Sequence, residues 1–285
     1  RNAAWVLPKD DAEYSDNRRR WLTRLPLLHQ LDRAWQYLSH EVRALGFVHF
    51  TSLVKSSEKA ALRHLARQVS DPAKRAALTP DYPMGCKRIL ISNNYYPALN
   101  QPNVSIVTDG IEKVVPEGVV TRDGTLHPAD VLIYGTGFAA TEFLAPIKVS
   151  GLDGKDLNAT WRAGAEAYKG ISIAGFPNLY VLYGPNTNLG HNSIIYMLES
   201  QFRYVVACVK ALRDRGLRYL DLQPKVQARY NRQLQDDARG TVWARGCQSW
   251  YLTADGKQTV NWPGFTFTYR QMTRKPTWSD YVQVR

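Results

Sequence analysis

The chain has 285 residues and a formal net charge of +12; 44% of its residues are hydrophobic and 22% are charged. This composition is typical of a folded protein and excludes collagen-like and low-complexity chains. No run approaches the roughly 18 apolar residues of a membrane helix, so we expect no stable membrane insertion. The three cysteines, Cys86, Cys208 and Cys247, lie far apart. Their odd number favours neither a disulfide framework nor a thiolate zinc site, and a reducing cytoplasm is the expected compartment.

Charge is distributed unevenly along the chain. Residues 1–90 carry a net charge of +7, residues 91–200 carry −4 and residues 201–285 carry +9. Clustered lysines and arginines are typical of nucleic-acid-binding proteins, but no helix-turn-helix, RRM, KH or zinc-finger pattern accompanies them. We therefore expect no nucleic-acid partner, although the phosphates of a dinucleotide would use a few of the same cations.

The predicted helices follow from apolar residues that recur every three or four positions. From Ser15 to about Phe50 these apolar residues form a stripe that could pack against a partner. The stripe predicts one helix or two, bent at Pro26. Further helices are predicted over residues 57–69, over residues 194–212 with Gly216 as the C-terminal cap, and over residues 224–238.

Short runs bounded by turn residues predict strands. They cover residues 104–107, residues 111–115 and a hairpin around Asp123-Gly124. Continuous apolar runs at 131–134 and 178–184 predict two strands buried on both faces of a sheet. The tail beyond the last predicted helix is expected to return to short strands and aromatic turns.

Two glycine-containing turns are candidates for cofactor contacts. Residues 135–140 fit G-x-G-x-x-A after a strand, but Pro146 follows too soon for the helix that a dinucleotide fingerprint opens, so a simple glycine turn is the favoured interpretation. The loop Gly184–Ser193 precedes a helix. Its backbone N–H groups would suit an anion, and an ordinary capped loop is an equal alternative.

Other chemistry-bearing residues are few. Adjacent Lys87 and Arg88 are usually solvated surface, although one of them could face a cleft as a permanent charge. Cys86 is expected to pack rather than to react. His191 is expected to be a hydrogen-bonding partner rather than a base, and the six histidines show no metal-ligand spacing, so no metal site is expected.

Taken in chain order, five segments together resemble the C-terminal half of a class B flavoprotein monooxygenase, the family of Baeyer-Villiger and flavin-containing monooxygenases. They are RNAAWVLP, YPMGCKRILISNNYYPALNQPNV, ADVLIYGTGF, GFPNLYVLYGPNTNLGHNS and SWYLTADGKQTVNWPGFT. The resemblance implies an α/β fold, an incomplete pair of interleaved Rossmann-like FAD- and NADPH-binding domains with a helical insertion. Residues 1–135 would be the C-terminal part of the NADPH-binding domain, with the insertion at about 10–79, and residues 136–285 the C-terminal part of the FAD-binding domain.

The resemblance also implies residue roles. Arg1 matches an arginine that meets the 2′-phosphate of NADPH, and Lys87 matches a second phosphate contact. Arg88 matches the catalytic arginine that supports the flavin peroxide, whose negative charge needs a fixed cation in a dry site. The other implied cofactor-binding residues are Thr136, Gly137, Phe138, Gly184, Pro185, Asn186, Thr187, Asn188 and Trp250, the last near the bound nicotinamide cofactor.

The implied activity is FAD- and NADPH-dependent oxygenation of a small organic molecule by O₂, either at a ketone or at nitrogen or sulfur. Both G-x-G-x-x-G turns of the family would precede Arg1, which we interpret as a starting point within a longer protein. We therefore expect the chain alone to bind FAD poorly and to be inactive. The alternatives are a flavoprotein reductase, whose redox C-x-x-C is absent here, and a non-catalytic basic binding module on a decayed flavoprotein scaffold; the oligomeric state is left open.

Overall fold

Helices and short strands are interspersed along the chain. The computed structural model describes residues 2–244 and 249–285. The helices are α1 (Asp16–Arg24), α2 (Pro26–Glu41), α3 (Val54–Gln68), α4 (Pro72–Ala77), α5 (Tyr95–Leu99), α6 (Leu157–Thr160), α7 (Ile194–Asp214), α8 (Pro224–Ala238) and α9 (Thr266–Met272). None of the described helices combines the length and the hydropathy of a membrane-crossing helix.

The strands form three small sheets within the described residues. They are β1 (Val6–Leu7), β2 (Leu90–Ile91), β3 (Ile111–Val115), β4 (Gly118–Thr121), β5 (Leu126–Pro128), β6 (Tyr219–Leu222) and β7 (Tyr281–Val284). β1 pairs with β2 in parallel, β3-β4-β5 is an antiparallel meander, and β6 pairs with β7 antiparallel. The chain is therefore a mixed helix and sheet structure.

The chain divides into two compact units. The first contains residues 1–10, 57–81 and 89–139, and the second contains residues 11–56, 82–88 and 140–285. The first unit is built on a cluster in which Val6 of β1 packs with Leu65 and Val69 of α3 and with Tyr96 of α5. The predicted domain boundaries at residues 135 and 10–79 stay predictions.

The core of the second unit lies along α7. Tyr204 and Cys208 of this helix pack against Leu220 and Leu222 of β6 and Tyr281 of β7. The hydroxyl groups of Tyr204 and Tyr281 lie 2.8 Å apart and form a hydrogen bond. Burying a polar group without such a partner would cost free energy, so this bond satisfies the two hydroxyl groups at the centre of the cluster.

Where local pattern decides, the predicted elements are confirmed. The stripe from Ser15 is two helices divided at Pro26, which occupies the first turn of α2, where its missing N–H costs nothing. The hairpin around Asp123-Gly124 joins β4 to β5. Gly216 has φ +61° just beyond α7 and caps it as predicted. The stripe itself is uncovered in this structure, with Trp35 71% exposed.

Three predicted strands are wrong. Residues 104–107, 131–134 and 178–184 contain no strand. The run at 131–134 is also exposed rather than buried, with Ile133 93% accessible. A buried strand requires neighbouring strands to take its N–H and C=O groups, and no described residue pairs with this segment.

Other elements were missed because their partners are distant in sequence. β6 pairs with β7 across some 60 residues, so it carries no local turn signal; β7 itself lies in the tail, where short strands were expected. α9 lies in the tail expected to form strands and turns. Cys86 is disulfide-bonded whereas Cys208 is a free buried thiol, so the expectation that no disulfide forms is wrong; separation along the chain does not report distance in the fold.

Candidate functional site

The loop Gly184–Ser193 is folded tightly against the backbone beneath it. Gly170 has φ +66°, and a Cβ atom there would lie 2.1 Å from Cγ2 of Thr187. A Cβ atom on Gly184 would lie 2.3 Å from the carbonyl oxygen of Gly170. Only glycine allows two backbone segments to approach so closely, so these two residues place the start of the loop.

The backbone of the loop pairs with residues 258–262. The N–H of Asn186 donates to the carbonyl oxygen of Thr259 at 2.9 Å, and the N–H of Asn188 donates to that of Val260 at 3.0 Å. The N–H of Trp262 donates to the carbonyl oxygen of Asn188 at 2.8 Å. At positions 186 and 188 the N–H groups therefore point into the protein, and an anion cannot use them.

Amide side chains hold the same loop from within. Asn186 is 3% exposed, and its Nδ2 donates to the carbonyl oxygen of Gln258 at 2.9 Å. The Nδ2 of Asn188 donates to Oδ1 of Asn261, and the hydroxyl of Thr187 donates to the carbonyl oxygen of Gly184. The sequence pattern Asn-Thr-Asn thus provides the cross-links that a buried loop needs.

Three polar side-chain atoms beside this loop are buried without a hydrogen-bond partner among the described residues. They are Nε2 of Gln258, Oγ1 of Thr259 and Nδ2 of Asn261. Leaving such a group unpaired costs about 1–3 kcal/mol, so a cluster of three beside one loop indicates donors kept for a bound group or for water.

Tyr183 bonds to the loop and is within electrostatic reach of Arg88. Its hydroxyl donates to Oδ1 of Asn188 at 2.6 Å, and its N–H donates to Oε1 of Gln201 at 2.9 Å. Burial raises the pKa of Tyr183, and the positive charge of Arg88 opposes that rise. The exposed guanidinium of Arg88 therefore lies within electrostatic reach of a phenol that contacts the loop.

Lys87 and Trp250 lie on segments that contact each other. The Nζ of Lys87, a half-buried residue, is 4.5 Å from the ring centre of Tyr82. The hydroxyl of Ser249 donates to the carbonyl oxygen of Cys86 at 2.9 Å. Trp250 follows and is exposed, with its ring 5.8 Å from that of Tyr251. The second unit thus contains Lys87, Arg88, Trp250 and residues 184–188.

The remaining predicted site residues lie elsewhere. Thr136, Gly137 and Phe138 belong to the first unit, where Phe138 is 90% exposed and Gly137 has φ +93°. This positive φ agrees with a glycine turn. Arg1 and Cys247 lie outside the described residues.

The end of the loop contains a buried histidine. His191 is 5% exposed, and neither ring nitrogen has a hydrogen-bond partner among the described residues. The expectation that it acts as a hydrogen-bonding partner is therefore wrong in this structure. Burial lowers the pKa of His191 to about 4, because the nearby negative charge of Glu41 offsets only part of the cost of burying the cation.

Several residues of this site were missed in the sequence. Gln258, Thr259 and Asn261 lie in the tail segment GKQTVNW, which is mostly polar and gave no sign of burial in the sequence. Glu41 is one of three charged residues in α2, and the sequence does not show that it is the buried one. Tyr183 was assigned to a buried strand, yet it has φ +56° at a turn.

Comparison with known proteins shows similarity along nearly the whole chain. A Baeyer-Villiger monooxygenase of Pseudomonas aeruginosa is 44% identical over 283 residues, which is 99% of this chain and 54% of that protein. One of Streptomyces coelicolor is 40% identical over 287 residues, 100% of this chain and 55% of that protein. No protein-family profile matches the chain.

This chain is a relative of the Baeyer-Villiger monooxygenases. The predicted family is confirmed. The chain spans about half the length of the curated relatives it matches. Among solved structures, OTEMO in complex with FAD and NADP has a TM-score of 0.72 at 27% identity, over 80% of this chain and 43% of that one. Cyclohexanone monooxygenase from Rhodococcus sp. Phi1 bound to NADP⁺ has a TM-score of 0.73 at 26% identity, over 84% of this chain and 46% of that one.

Proposed function

We propose that this chain provides the C-terminal half of the cofactor and substrate sites of an FAD- and NADPH-dependent monooxygenase that acts on a small organic molecule with O₂. The supporting observation is the loop Gly184–Ser193, which has beside it three polar atoms without a hydrogen-bond partner among the described residues. Arg88 is within electrostatic reach of Tyr183, whose hydroxyl bonds to the loop. The reaction is Baeyer-Villiger oxidation of a ketone, or oxygenation at nitrogen or sulfur.

The residues present fit a flavin. The unpaired atoms of Gln258, Thr259 and Asn261 include donors suited to the carbonyl oxygens and ring nitrogens of an isoalloxazine. Bound FAD would supply the oxygen activation that no amino-acid side chain performs. Residues 184–188 would hold and orient it, and Thr136, Gly137 and Phe138 would add contacts where the chain passes between the two domains.

Arg88 is proposed as the catalytic cation. A guanidinium keeps its charge at every pH of interest, so it can stabilise negative charge at the reacting oxygen. Its effect is strong only where water is excluded, and Arg88 is exposed in this structure. The proposal therefore requires that the rest of the enzyme covers it.

Three residues are proposed to bind NADPH. Arg1 and Lys87 would contact its phosphates, because a planar guanidinium and a flexible ammonium are the usual phosphate ligands. Trp250 would pack near the nicotinamide, and its exposed ring is available to do so.

The proposed architecture is the incomplete pair of interleaved domains, with residues 1–135 and 136–285 as their C-terminal parts. The exposed apolar run at 131–138 and the half-length match to the relatives support it. Each cofactor site would be completed by residues that the relatives have beyond the matched region. The chain by itself is then expected to be inactive.

The test is flavin retention after desalting. The 285-residue chain is measured alone and with a polypeptide equivalent to the unmatched part of the Pseudomonas relative. We expect little bound FAD alone, and flavin absorbance with NADPH oxidation when both are present. Steep salt-dependent binding to RNA with no flavin in either sample would contradict the proposal and support a basic binding module.

Arg88→Lys in the two-part enzyme tests the catalytic role. It should keep flavin but lower the fraction of NADPH consumption that yields oxidised substrate by about a hundredfold, since losing one well-placed donor costs roughly 3 kcal/mol. Arg232→Lys on the exposed face of α8 is the matched control. Equal coupling in both variants would show that Arg88 does not touch the reacting atoms.

A further inference from the structure

Glu41, the last residue of α2, is a buried carboxylate that accepts four hydrogen bonds. Its Oε1 accepts from the N–H groups of Thr266 at 2.6 Å and Phe267 at 3.3 Å. Its Oε2 accepts from the hydroxyl of Thr266 at 2.8 Å and from Nδ2 of Asn192. One carboxylate therefore joins three segments: the end of α2, the start of α9 and the end of the loop Gly184–Ser193.

Among the described residues, no cation forms an ion pair with this carboxylate. Glu41 is 5% exposed. A buried carboxylate without a cation depends on its hydrogen-bond donors. Its two oxygens therefore constrain the positions of the donors around them.

Tyr37, one turn earlier in α2, strengthens the same junction. Its hydroxyl lies 2.9 Å from that of Thr266, and its ring stacks on Tyr196 of α7 with centroids 5.0 Å apart. By contrast, the first turns of α2 are exposed on all sides. The helix is thus anchored at its C-terminal end, where Glu41 lies.

We propose that Glu41 is a positioning residue for the loop Gly184–Ser193. It holds the carboxamide of Asn192, whose Oδ1 in turn accepts from the N–H of Ser193 at 2.7 Å, the residue before α7. The loop is thereby fixed at its end as Gly170 and Gly184 fix its start. The effect of Glu41 on a bound flavin rests on the proposed function, whereas its restraint on the loop does not.

The experiment compares Glu41→Gln with the double variant Glu41→Gln/Asn192→Asp. In the single variant, the introduced amide nitrogen replaces Oε2 and meets the Asn192 amide nitrogen, so two donors face each other. Asn192 could turn its oxygen toward the introduced amide only by losing its bond to Ser193. An aspartate at position 192 has two oxygens and satisfies both neighbours, so the double variant should restore the junction.

The readout is amide hydrogen exchange in the 285-residue chain. Glu41→Gln should speed exchange over residues 186–193 by about tenfold, as expected for loss of one hydrogen bond to a charged group, while β6 and β7 are unchanged. The double variant should return exchange to the wild-type rate, which a merely destabilised core would not do. Glu112→Gln, at an exposed position of β3, is the control and should change nothing.

Two results would overturn the assignment: unchanged exchange over residues 186–193 in Glu41→Gln, or faster exchange that the double variant does not reverse. The visible spectrum of FAD in the two-part enzyme provides a separate readout. If wild type binds no FAD, the proposed function fails, and the exchange data still decide the role of Glu41. If wild type binds FAD, the flavin band should shift in Glu41→Gln and return in the double variant; a band unmoved by Glu41→Gln also contradicts the positioning role.

Discussion

His191 shows how one side chain can carry a large pH effect without belonging to any recognisable motif. Its ring is buried beside Phe47, with ring centroids 6.5 Å apart, and a Cβ atom on the preceding Gly190 would lie 3.1 Å from the ring of Trp243. In such surroundings the neutral imidazole is favoured over the cation. The unfolded chain, by contrast, protonates this histidine in the ordinary range.

The expected outcome is a loss of stability in mild acid. The pKa of His191 falls from 6.5 in the unfolded chain to about 4 in the folded one, so the unfolded chain binds more protons between these values. The contribution of His191 to the free energy of unfolding is therefore constant above about pH 6.5. Between about pH 6.5 and pH 4 this histidine lowers the free energy of unfolding by roughly 3 kcal/mol in total.

The measurement is chemical denaturation of wild type and His191→Gln from pH 8 to pH 4. The difference in unfolding free energy should be constant above about pH 6.5 and should move in favour of the variant below it. His29→Gln, at an exposed position of α2, should follow wild type throughout. A parallel pair of curves for wild type and His191→Gln would show that His191 is charged or solvated in the folded chain.

At the same scale, the sequence indicated which residues form the loop but not how they pair. Glycine and asparagine in GPNTNLGHN correctly predict a turn before a helix. The bond between Asn188 and Asn261 crosses 73 residues, and that between Glu41 and Thr266 crosses 225. No local pattern contains such pairings, because they exist only once the segments are packed.

At the scale of elements, the turn around Gly170 supports the candidate loop. The hydroxyl of Tyr269 in α9 donates to the carbonyl oxygen of Lys169 at 2.7 Å, and Nζ of Lys169 donates to that of Met272. α9 therefore holds the turn in place. Burial lowers the pKa of Lys169 to about 8, consistent with a lysine that serves packing rather than surface charge.

Gly170→Ala should destabilise the chain more than Gly216→Ala. Both glycines have φ near +60°, and an alanine in that conformation costs about 1 kcal/mol. Gly216 has open space around it, whereas Gly170 would also place a Cβ atom against Thr187 and Pro185. We expect the free energy of unfolding to fall by about 1 kcal/mol in Gly216→Ala. In Gly170→Ala it should fall by roughly 2–3 kcal/mol more, as for overpacking in a core.

Urea denaturation of the two variants tests this difference. Equal losses of unfolding free energy would mean that Thr187 moves aside freely and that the start of the loop is not rigidly placed.

The helices and the hairpin were predictable from the sequence alone, because the periodicity and the turn residues that form them act within a few positions of each other.

At the scale of the whole molecule, the exposed apolar run at 131–138, like the stripe on α1 and α2, is an apolar surface without a partner among the described residues. Ile133 is 93% exposed and Phe138 is 90% exposed. A contiguous apolar surface of this kind marks an interaction site or a source of aggregation. The expected buried strand failed here because strands that could cover it are not among the described residues.

Ile133→Lys/Phe138→Lys should reduce self-association of the chain without lowering its melting temperature. Exposed side chains contribute little to unfolding free energy, and added charge opposes association. Ile111→Lys, a single exposed site on β3, should change association less. A lower melting temperature in the double variant, or unchanged light scattering, would show that the run is not the associating surface.

The sequence by itself determined the family, the main helices and the β3-β4-β5 hairpin region, because these depend on motifs in order and on contacts between near neighbours. The tertiary structure alone decided that Glu41 lies under the loop, that His191 is buried and that the run at 131–134 is exposed. Those outcomes depend on which distant segments pack together, and burial changes the energy of a charge or an amide in ways that its neighbours in sequence do not reveal.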